Sequence, residues 1–303
     1  MKAIRFDTFG GPEVLHVAEV PVPDPGPRQV RIRVRASGVN PVDSTIRSGA
    51  MQAIIPTTLP AIPGIDVAGV VDAVGEDVTD VAVGEPVLGW ADAPAGSYAE
   101  YALASRIAHI PAGLSFADAA TLPTAGETAE RGLDLLGVRA GETVLIHGAS
   151  GSVGTIAVQL AVARGATVIG TASEENQDYV RSLGAIPMLY GEGLVERVRA
   201  SGRQVDAVFD VAGKGALHDS IVLRGGTDRI ITIADPAAAE LGVTFSAGTP
   251  KDWSTGDLAA LAELAARGRL TTAVAGTYPL ERAAEVQRLS QGSHVHGKLV
   301  LVP

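Results

Sequence analysis

The sequence contains no cysteine. This absence excludes disulfide bonds, thiol nucleophiles and every metal site that depends on a thiolate ligand. Because disulfides are typical of oxidising compartments, it also favours a cytoplasmic protein. No run of residues approaches the roughly 18 apolar positions that a membrane-spanning helix needs. The stretch from Met1 to Asp7 has no apolar signal core, so we expect neither a membrane segment nor an export signal.

Basic and aromatic residues are also scarce. The chain of 303 residues has 24 lysines and arginines against 34 aspartates and glutamates, a formal net charge of -10. An acidic surface argues against nucleic acid or an anionic membrane as a partner, because both carry dense negative charge. A local site can still oppose the global charge, so an anionic cofactor is compatible with this composition. Aromatic residues make up 4% of the chain, and we interpret Trp90 and Trp253 as packing residues.

The most informative stretch ends at Gly154. The apolar run Val144–Ile146 is followed by Gly148, Gly151 and Gly154, and apolar residues then recur at helical spacing. A strand, a glycine turn and a helix in succession let backbone N–H groups at the helix N-terminus approach a pyrophosphate. The spacing is G-x-x-G-x-x-G instead of the standard G-x-G-x-x-G, so a tight turn without a ligand stays an alternative.

The first hundred residues are predicted to form a β-rich domain. Apolar residues and arginines alternate over Val30–Ala36, which predicts a half-buried antiparallel strand. The proline-rich segment Pro21–Pro27 cannot sustain a strand ladder and is predicted to be a loop. Glycines then punctuate short valine-rich runs, as in a small barrel or folded sheet.

From Thr143 onwards, strands alternate with helices, which predicts a parallel sheet covered on both faces. We therefore predict an α/β fold in which a β-rich domain, residues 1–118 and 269–303, is interrupted by a doubly wound domain, residues 119–268. A site is expected in the cleft between them, at the carboxyl ends of the parallel strands. The strands predicted after Thr143 are 143–148, 167–172, 186–190, 205–211, 228–234 and 242–247, and the predicted helices are 152–164, 174–183, 192–201 and 255–267.

A series of motifs points to one family. The motifs are Ala36–Asp43 with Arg47 and Gly49, Pro63–Gly69, Leu122–Ala129, the glycine turn, Gly170–Ser173 and the closing pair Gly297 and Lys298. With these motifs the sequence resembles, nearly from end to end, the zinc-independent quinone oxidoreductases of the medium-chain dehydrogenase/reductase superfamily. The resemblance implies a GroES-like catalytic domain for the β-rich part and a Rossmann-type NADP-binding domain for the insertion.

The resemblance also identifies missing metal ligands. Zinc-dependent relatives carry a cysteine ligand where this chain has Asn40 and a histidine ligand where it has Ile65, and no counterpart of their four-cysteine lobe follows Gly84. We therefore expect no metal. His294 and His296 are two residues apart, which suits opposite faces of a strand and not one ligand set. Without zinc to polarise its oxygen, an acceptor that is already electrophilic is favoured over a simple alcohol.

Cofactor contacts are also implied by the resemblance. Backbone donors of the glycine turn would hold the pyrophosphate, Ser173 and Tyr190 would lie at the adenosine phosphate, and the backbone at Ala212 and Ala234 would meet the nicotinamide. The predicted cofactor-binding residues are Asn40, Thr124, Thr128, Gly148, Ser150, Gly151, Ser152, Val153, Gly154, Ser173, Tyr190, Ala212, Ala234 and Lys298.

NADPH is favoured over NADH. An NAD site usually carries an acidic residue at the end of its second strand, whereas Ser173 leaves room here for a 2′-phosphate. Relatives often have a lysine shortly after this serine, but Glu174 and Glu175 follow here. These carboxylates either repel a 2′-phosphate, bind a ribose hydroxyl or form a solvated first helical turn favoured by the dipole. NADH therefore stays possible. Lys298 is interpreted either as a positive charge near the cofactor or as a solvated lysine.

Asn40, Asp43 and Thr124 are the predicted catalytic residues. The Asn40 amide can donate to a carbonyl oxygen that gains negative charge as hydride arrives, and the alternative is a side chain that holds the turn before Pro41. The resemblance places Thr124 near the nicotinamide, with helix capping as the alternative. Asp43 is expected either to orient its neighbours, pairing with Arg47, or to transfer a proton.

The sequence thus predicts an NADPH-dependent reductase that transfers hydride, without zinc, to a quinone or another activated carbonyl or enone. The alternatives are an enoyl or alkenal double-bond reductase of secondary metabolism and a protein that binds NADPH without turnover. Relatives often carry an aromatic residue soon after Asp43, whereas Ser44, Thr45 and Ile46 follow here, so a quinone-stacking preference is not assured. An edge strand expected at Val243–Ser246 predicts a homodimer paired across a two-fold axis.

Overall fold

The computed structural model describes residues 1–292 and 295–303. The chain divides into two compact units. The first unit holds residues 1–124 and 254–303, and the second unit holds residues 125–253.

The elements below are numbered in chain order. The strands are β1 (Lys2–Arg5), β2 (His16–Glu19), β3 (Val30–Val39), β4 (Asp66–Val74), β5 (Pro86–Trp90), β6 (Tyr101–Ala104), β7 (Arg106–His109), β8 (Thr143–His147), β9 (Thr167–Ala172), β10 (Ile186–Leu189), β11 (Ala207–Asp210), β12 (Ile230–Thr232), β13 (Thr244–Phe245), β14 (Val274–Pro279) and β15 (Lys298–Val302). The α-helices are α1 (Pro41–Arg47), α2 (Phe116–Ala119), α3 (Pro123–Leu136), α4 (Ser152–Ala163), α5 (Gln177–Ser182), α6 (Leu194–Ala200), α7 (Leu217–Arg224), α8 (Ala238–Leu241), α9 (Thr255–Ala266) and α10 (Ala283–Gln291).

The first unit is built on a seven-stranded sheet in the order β14-β15-β3-β4-β5-β7, with β6 also paired to β3. All neighbours in this sheet are antiparallel except β14 and β15. The alternation predicted for β3 is present, because Val30, Ile32 and Val34 are buried in one core cluster while Arg33 and Arg35 are exposed. Burying one face of this part of β3 accounts for its period-two sequence pattern.

The second unit is a doubly wound sheet. Its six strands are all parallel, in the order β10-β9-β8-β11-β12-β13. One face packs against α6, α7 and α8 through a cluster that includes Leu145 and Val208. On the other face, Gly132 of α3 lies so close to Phe209 that an added Cβ would come within 2.2 Å of its ring. The predicted fold class is confirmed, since this strand order is that of dinucleotide-binding sheets.

The unit boundaries differ from those expected. The sequence pattern put the boundaries after residues 118 and 268, which would place α9 in the second unit, whereas α9 belongs to the first unit and packs against β7. Leu258 and Leu261 are buried there. Periodicity predicts a helix but not the sheet that the helix covers, and this explains the difference. Within the described residues, no helix is long and apolar enough to cross a membrane.

Candidate functional site

Three strand ends meet in the first unit. β3 runs antiparallel to both β4 and β15, with Gly38 opposite Asp66 and Val39 opposite Leu299. The last residues of β3 therefore lie beside the first residues of its two neighbours. This register brings together Asn40, which follows β3, Asp66, which begins β4, and Lys298, which begins β15.

The side chains of these three residues form one buried network. The Asn40 Nδ2 donates to Asp66 Oδ2 at 3.0 Å, and the Lys298 ammonium donates to the same oxygen at 2.8 Å. Lys298 also donates to Asn40 Oδ1. The exposed fractions are 4% for Asn40, 0% for Asp66 and 2% for Lys298. Lys298 is thus not solvated, and its charge is balanced by a buried carboxylate.

Thr124 connects this network to the protein surface. Its backbone N–H donates to Asp66 Oδ1 at 3.0 Å, and its hydroxyl donates to the same oxygen. Thr124 is partly exposed, whereas Asp66 is fully buried. Because Thr124 is the second residue of α3, the Asp66 carboxylate satisfies an N–H group at the start of that helix, and the threonine side chain acts as a donor instead of a cap.

Asp43 contacts Asn40 through the backbone N–H of that residue. One oxygen of its carboxyl accepts from the Asn40 backbone N–H at 2.8 Å and from the Tyr98 hydroxyl at 3.0 Å. Asp43 is 1% exposed, and burial raises its pKa from 3.8 to about 7. The expectation that Asp43 pairs with Arg47 is wrong, because no ion pair joins these two residues in the part of the chain that the structure describes. Arg47 is itself buried, and its pKa is lowered by that burial.

Sequence reasoning missed Asp66 and Tyr98 as members of this site. Asp66 stands within the Pro63–Gly69 motif, and a charged residue beginning an otherwise apolar strand was the available signal. Gly38 also has a specific role, because a Cβ there would lie 2.3 Å from the Ala120 carbonyl oxygen and 2.9 Å from Lys298 Cε. The missing side chain lets the lysine stem pass beside β3.

The glycine turn of the second unit joins β8 to α4. Gly148 has a φ of +76°, which favours glycine. A Cβ on Gly154 would lie 2.1 Å from the Gly148 carbonyl oxygen, so this glycine permits the close approach of helix and strand. At Gly151 a Cβ would meet only the Gly148 oxygen at 3.4 Å. The space in front of α4 is therefore open, and Gly151 as the N-cap has no side chain to fill it.

This geometry fits a pyrophosphate. The first N–H groups of α4 have no partner within the helix and carry the positive end of the helix dipole. Three predicted residues, Ser150, Ser152 and Val153, lie in or directly after the turn and are partly exposed. An anionic group placed there would be held by backbone donors.

A second polar network shapes the loops after β11 and β12. Buried Asp210 ends β11, and its carboxylate accepts from the backbone N–H groups of Ala212 at 3.0 Å and Gly213 at 3.1 Å. Its other oxygen accepts from the Thr232 hydroxyl at 2.8 Å, and Thr232 in turn accepts from the N–H of Ala234 at 3.2 Å. The two loops predicted to meet the nicotinamide are thus fixed by side chains that sequence reasoning did not single out.

His147 anchors the glycine turn from behind. The Ser220 hydroxyl donates to the Ala216 carbonyl, so it accepts from His147 Nε2 at 3.0 Å. The other ring nitrogen then accepts from Thr171, whose oxygen accepts from the Gly148 N–H. This chain requires a neutral imidazole, and burial lowers the pKa of His147 accordingly.

Ser173 and Tyr190 follow neighbouring strands. Ala172 of β9 pairs with Leu189 of β10, so the residues after them share one edge of the sheet. The Ser173 hydroxyl accepts from Asn176 at 2.9 Å and donates to Glu175 at 3.3 Å. Tyr190 is 56% exposed.

The remaining predicted residue of the second unit, Thr128, is buried on α3 and donates to Glu127 at 3.2 Å. The carboxyl ends of the strands β10, β9, β8, β11 and β12 therefore carry the other predicted cofactor contacts of this unit, in the order in which the strands stand in the sheet.

Known proteins identify the family. The model of the alcohol dehydrogenase GroES-like domain matches residues 26–126, and the model described as zinc-binding dehydrogenase matches residues 183–301. The quinone oxidoreductase of Mus musculus is 35% identical to the chain, over 100% of the chain and 98% of the mouse protein. The chain belongs to the quinone oxidoreductase family of the medium-chain dehydrogenase/reductase superfamily.

Two further proteins resemble the chain over its whole length. The chloroplastic NADPH-dependent alkenal/one oxidoreductase of Arabidopsis thaliana is 34% identical over 100% of the chain and 80% of the plant protein. The crystal structure of the Escherichia coli quinone oxidoreductase complexed with NADPH matches with a TM-score of 0.87 and 26% identity, covering 100% of both chains. The resemblance stated from the sequence motifs is confirmed.

The name of one matching model refers to zinc, but the residues of this quinone oxidoreductase family member do not fit that metal. Asn40 uses its amide to bind Asp66 and Lys298, and Ile65 offers no ligand atom. The described residues contain no group of three or more histidines, cysteines, aspartates or glutamates that could hold a metal ion. His294 lies outside the described residues.

Proposed function

We propose that this protein is an NADPH-dependent reductase that transfers hydride to a quinone or an enone without zinc. The observation that carries the proposal is the Asn40 amide, which is held in one orientation by Asp66 and Lys298. Such an amide can donate to a substrate oxygen. Full-length similarity to quinone oxidoreductases and to an alkenal/one oxidoreductase supports this choice of acceptor.

The second unit would hold the cofactor. Backbone N–H groups of the glycine turn and of the first turn of α4 would bind the pyrophosphate, and the loops fixed by Asp210 and Thr232 would bind the nicotinamide end. When bound, NADPH supplies a hydride from its nicotinamide ring. The E. coli relative that was solved with NADPH supports this cofactor.

The first unit would bind the acceptor. Asp66 takes one Nδ2 hydrogen of Asn40, so the second Nδ2 hydrogen is the donor to a carbonyl oxygen that becomes negative during reduction. The reduced oxygen is basic enough to take a proton from water. Asp43 would orient Asn40 through its backbone N–H instead of touching the substrate, because both its partners and its burial place it behind the amide.

NADPH is proposed over NADH because Ser173 and Tyr190 follow adjacent strands and both offer hydroxyl groups to a 2′-phosphate. Glu174 and Glu175 are exposed, and Glu175 already accepts from Ser173. This hydrogen bond to Glu175 does not prevent the Ser173 side chain from turning towards a phosphate. NADH is the alternative that the cofactor comparison tests.

Steady-state kinetics test the proposal directly. NADPH and NADH oxidation is measured with naphthoquinones, benzoquinones and 2-alkenals as acceptors. We expect NADPH oxidation with quinones, and a higher kcat/KM with 2-alkenals would favour the double-bond reductase. Equal kcat/KM for the two cofactors would contradict the NADPH preference. Binding of NADPH without turnover by any acceptor would contradict the enzyme proposal and favour a binding protein.

The proposal includes a cytoplasmic homodimer. β13 is the edge strand of the parallel sheet, and Phe245 on it is 49% exposed. Pairing of two such edges across a two-fold axis would extend the sheet and cover this side chain. Light scattering that shows only monomers at micromolar concentration would contradict the dimer.

A further inference from the structure

We propose that Lys298 is a positioning residue that strengthens the Asn40 amide as a donor, and that it does not bind the cofactor phosphate. This inference rests on the proposed function, because it concerns the substrate oxygen that Asn40 would bind. It differs from the expectation drawn from the sequence, which placed Lys298 among the cofactor contacts.

The orientation of the Asn40 side chain is fixed by its two partners. An ammonium can only donate, so the atom beside Lys298 must be the carbonyl oxygen of the amide. A carboxylate can only accept, so the atom beside Asp66 must be the amide nitrogen. The two charged partners thus exclude the flipped amide, and one Nδ2 hydrogen is left in a defined direction.

The charge of Lys298 acts on this amide at short range. A hydrogen bond to a carbonyl oxygen polarises the amide and makes its N–H groups better donors, and a charged donor does so more strongly. Lys298 and Asp66 are both essentially excluded from solvent, so water does not screen the interaction. The effect should therefore grow as negative charge develops on an oxygen bound to Asn40.

The same contacts argue against a phosphate contact. Lys298 gives hydrogen bonds to Asn40 and Asp66 and is 2% exposed. Its stem passes over Gly38, which lacks the side chain that would block it. The ammonium would have to leave a buried carboxylate to reach a phosphate, and separating a buried ion pair is strongly destabilising because it leaves an uncompensated buried charge.

Two variants separate charge from structure. Lys298→Met removes the charge but leaves Asp66 buried without a partner, so its folding can fail. The double variant Lys298→Met with Asp66→Asn removes both charges and keeps at position 66 one amide group that can pair with the Asn40 amide. Ser97→Ala is the matched control, since it removes a buried contact to Ser37 at 2.6 Å in the same unit and leaves the charges in place.

The measurements are kcat and KM for a quinone, the Kd values of NADPH and NADH, and the Tm of each variant. Loss of a direct oxyanion donor typically lowers kcat by ~100-fold or more, so we expect about a tenfold loss for a group that acts through another. The double variant should show this loss in kcat with KM and both Kd values within about twofold of wild type, and Ser97→Ala should keep wild-type kcat.

A folded double variant with wild-type kcat would overturn the inference, because the charge pair would then be only structural. So would a variant that weakens NADPH binding but not NADH binding, since Lys298 would then contact the 2′-phosphate. Both outcomes leave the proposed function standing. A wild-type protein that oxidises NADPH with none of the acceptors would refute the proposed function, and the inference would fall with it.

Discussion

Replacing Asp43 by asparagine should remove a pH-dependent loss of stability from the first unit. The side-chain carbonyl of asparagine can still accept from the Asn40 backbone N–H and from the Tyr98 hydroxyl, as the carboxylate does now. The substitution therefore keeps the shape and the acceptor while it removes a titratable group from a site that is 1% exposed.

The direction in which stability changes with pH follows from the two pKa values of Asp43. Asp43 has a pKa of about 7 in the folded protein and an ordinary value of 3.8. Between these values the folded state keeps a proton that the unfolded state has released, so the free energy of unfolding falls as the pH rises. The stabilising contribution is complete below pH 3.8 and is lost above pH 7. The whole window corresponds to about 4 kcal/mol, of which roughly 2–3 kcal/mol falls between pH 5 and pH 8.

Tryptophan fluorescence can follow the first unit alone. The sequence has two tryptophans, and Trp90 lies in the first unit whereas Trp253 lies in the second. In a Trp253→Phe background, urea unfolding reported by buried Trp90 gives the free energy of unfolding of the unit that contains Asp43. His147 belongs to the second unit and is unchanged in the variant, so its titration cancels when the variant is compared with the parent.

The decisive quantity is the stability difference between Asp43→Asn and the parent at pH 5 and at pH 8. We expect this difference to shift by roughly 2–3 kcal/mol in favour of the variant on going to pH 8. Ser97→Ala, which changes no titratable group, should differ from the parent by the same amount at both pH values. A pH-independent difference for Asp43→Asn would refute the reasoning that burial holds a proton on this carboxyl.

Three further predictions concern the second unit. Gly151→Val should weaken NADPH binding by roughly 100-fold in a fluorescence titration, because the valine fills the open space before α4. The Tm of this variant should stay near that of wild type, and unchanged affinity would mean that no phosphate binds there. Asp210→Ala should raise the Kd of NADPH about tenfold, since the N–H groups of Ala212 and Gly213 lose their acceptor, whereas loss of stability with normal affinity would show a purely structural role. Phe245→Asp should convert the proposed dimer into monomers in light scattering, and a dimer that survives would place the interface elsewhere.

Much of the second unit could be predicted from the sequence because its information is local. The run Val144–Ile146, the three glycines and the helical spacing after them lie within a few residues of one another, and the structure places β8, the turn and α4 there. Strands alternating with helices can form a parallel sheet in few ways, so the chain order was sufficient for the fold class. The helices α7 and α8 were not among the helices predicted from the sequence.

Some expectations for the first unit could not be drawn correctly from spacing. Asp43 and Arg47 are four residues apart on α1, which is the spacing of an ion pair, but Asp43 binds Tyr98 instead. Tyr98 is 55 positions away along the chain. A long-range partner of this kind competes with the local one, and only the packing of the unit determines which one forms.

The sequence by itself determined the parallel sheet, the position of the glycine turn and the family, because these depend on short motifs and their order. Tertiary structure decided where the Lys298 side chain lies. Lys298 stands 232 residues from Asp66 and 258 from Asn40, and it reaches both because β15 and β4 begin where β3 ends. A lysine near the end of a chain is ordinarily solvated, but this register buries it against a carboxylate, since a buried charge is tolerated only beside its opposite.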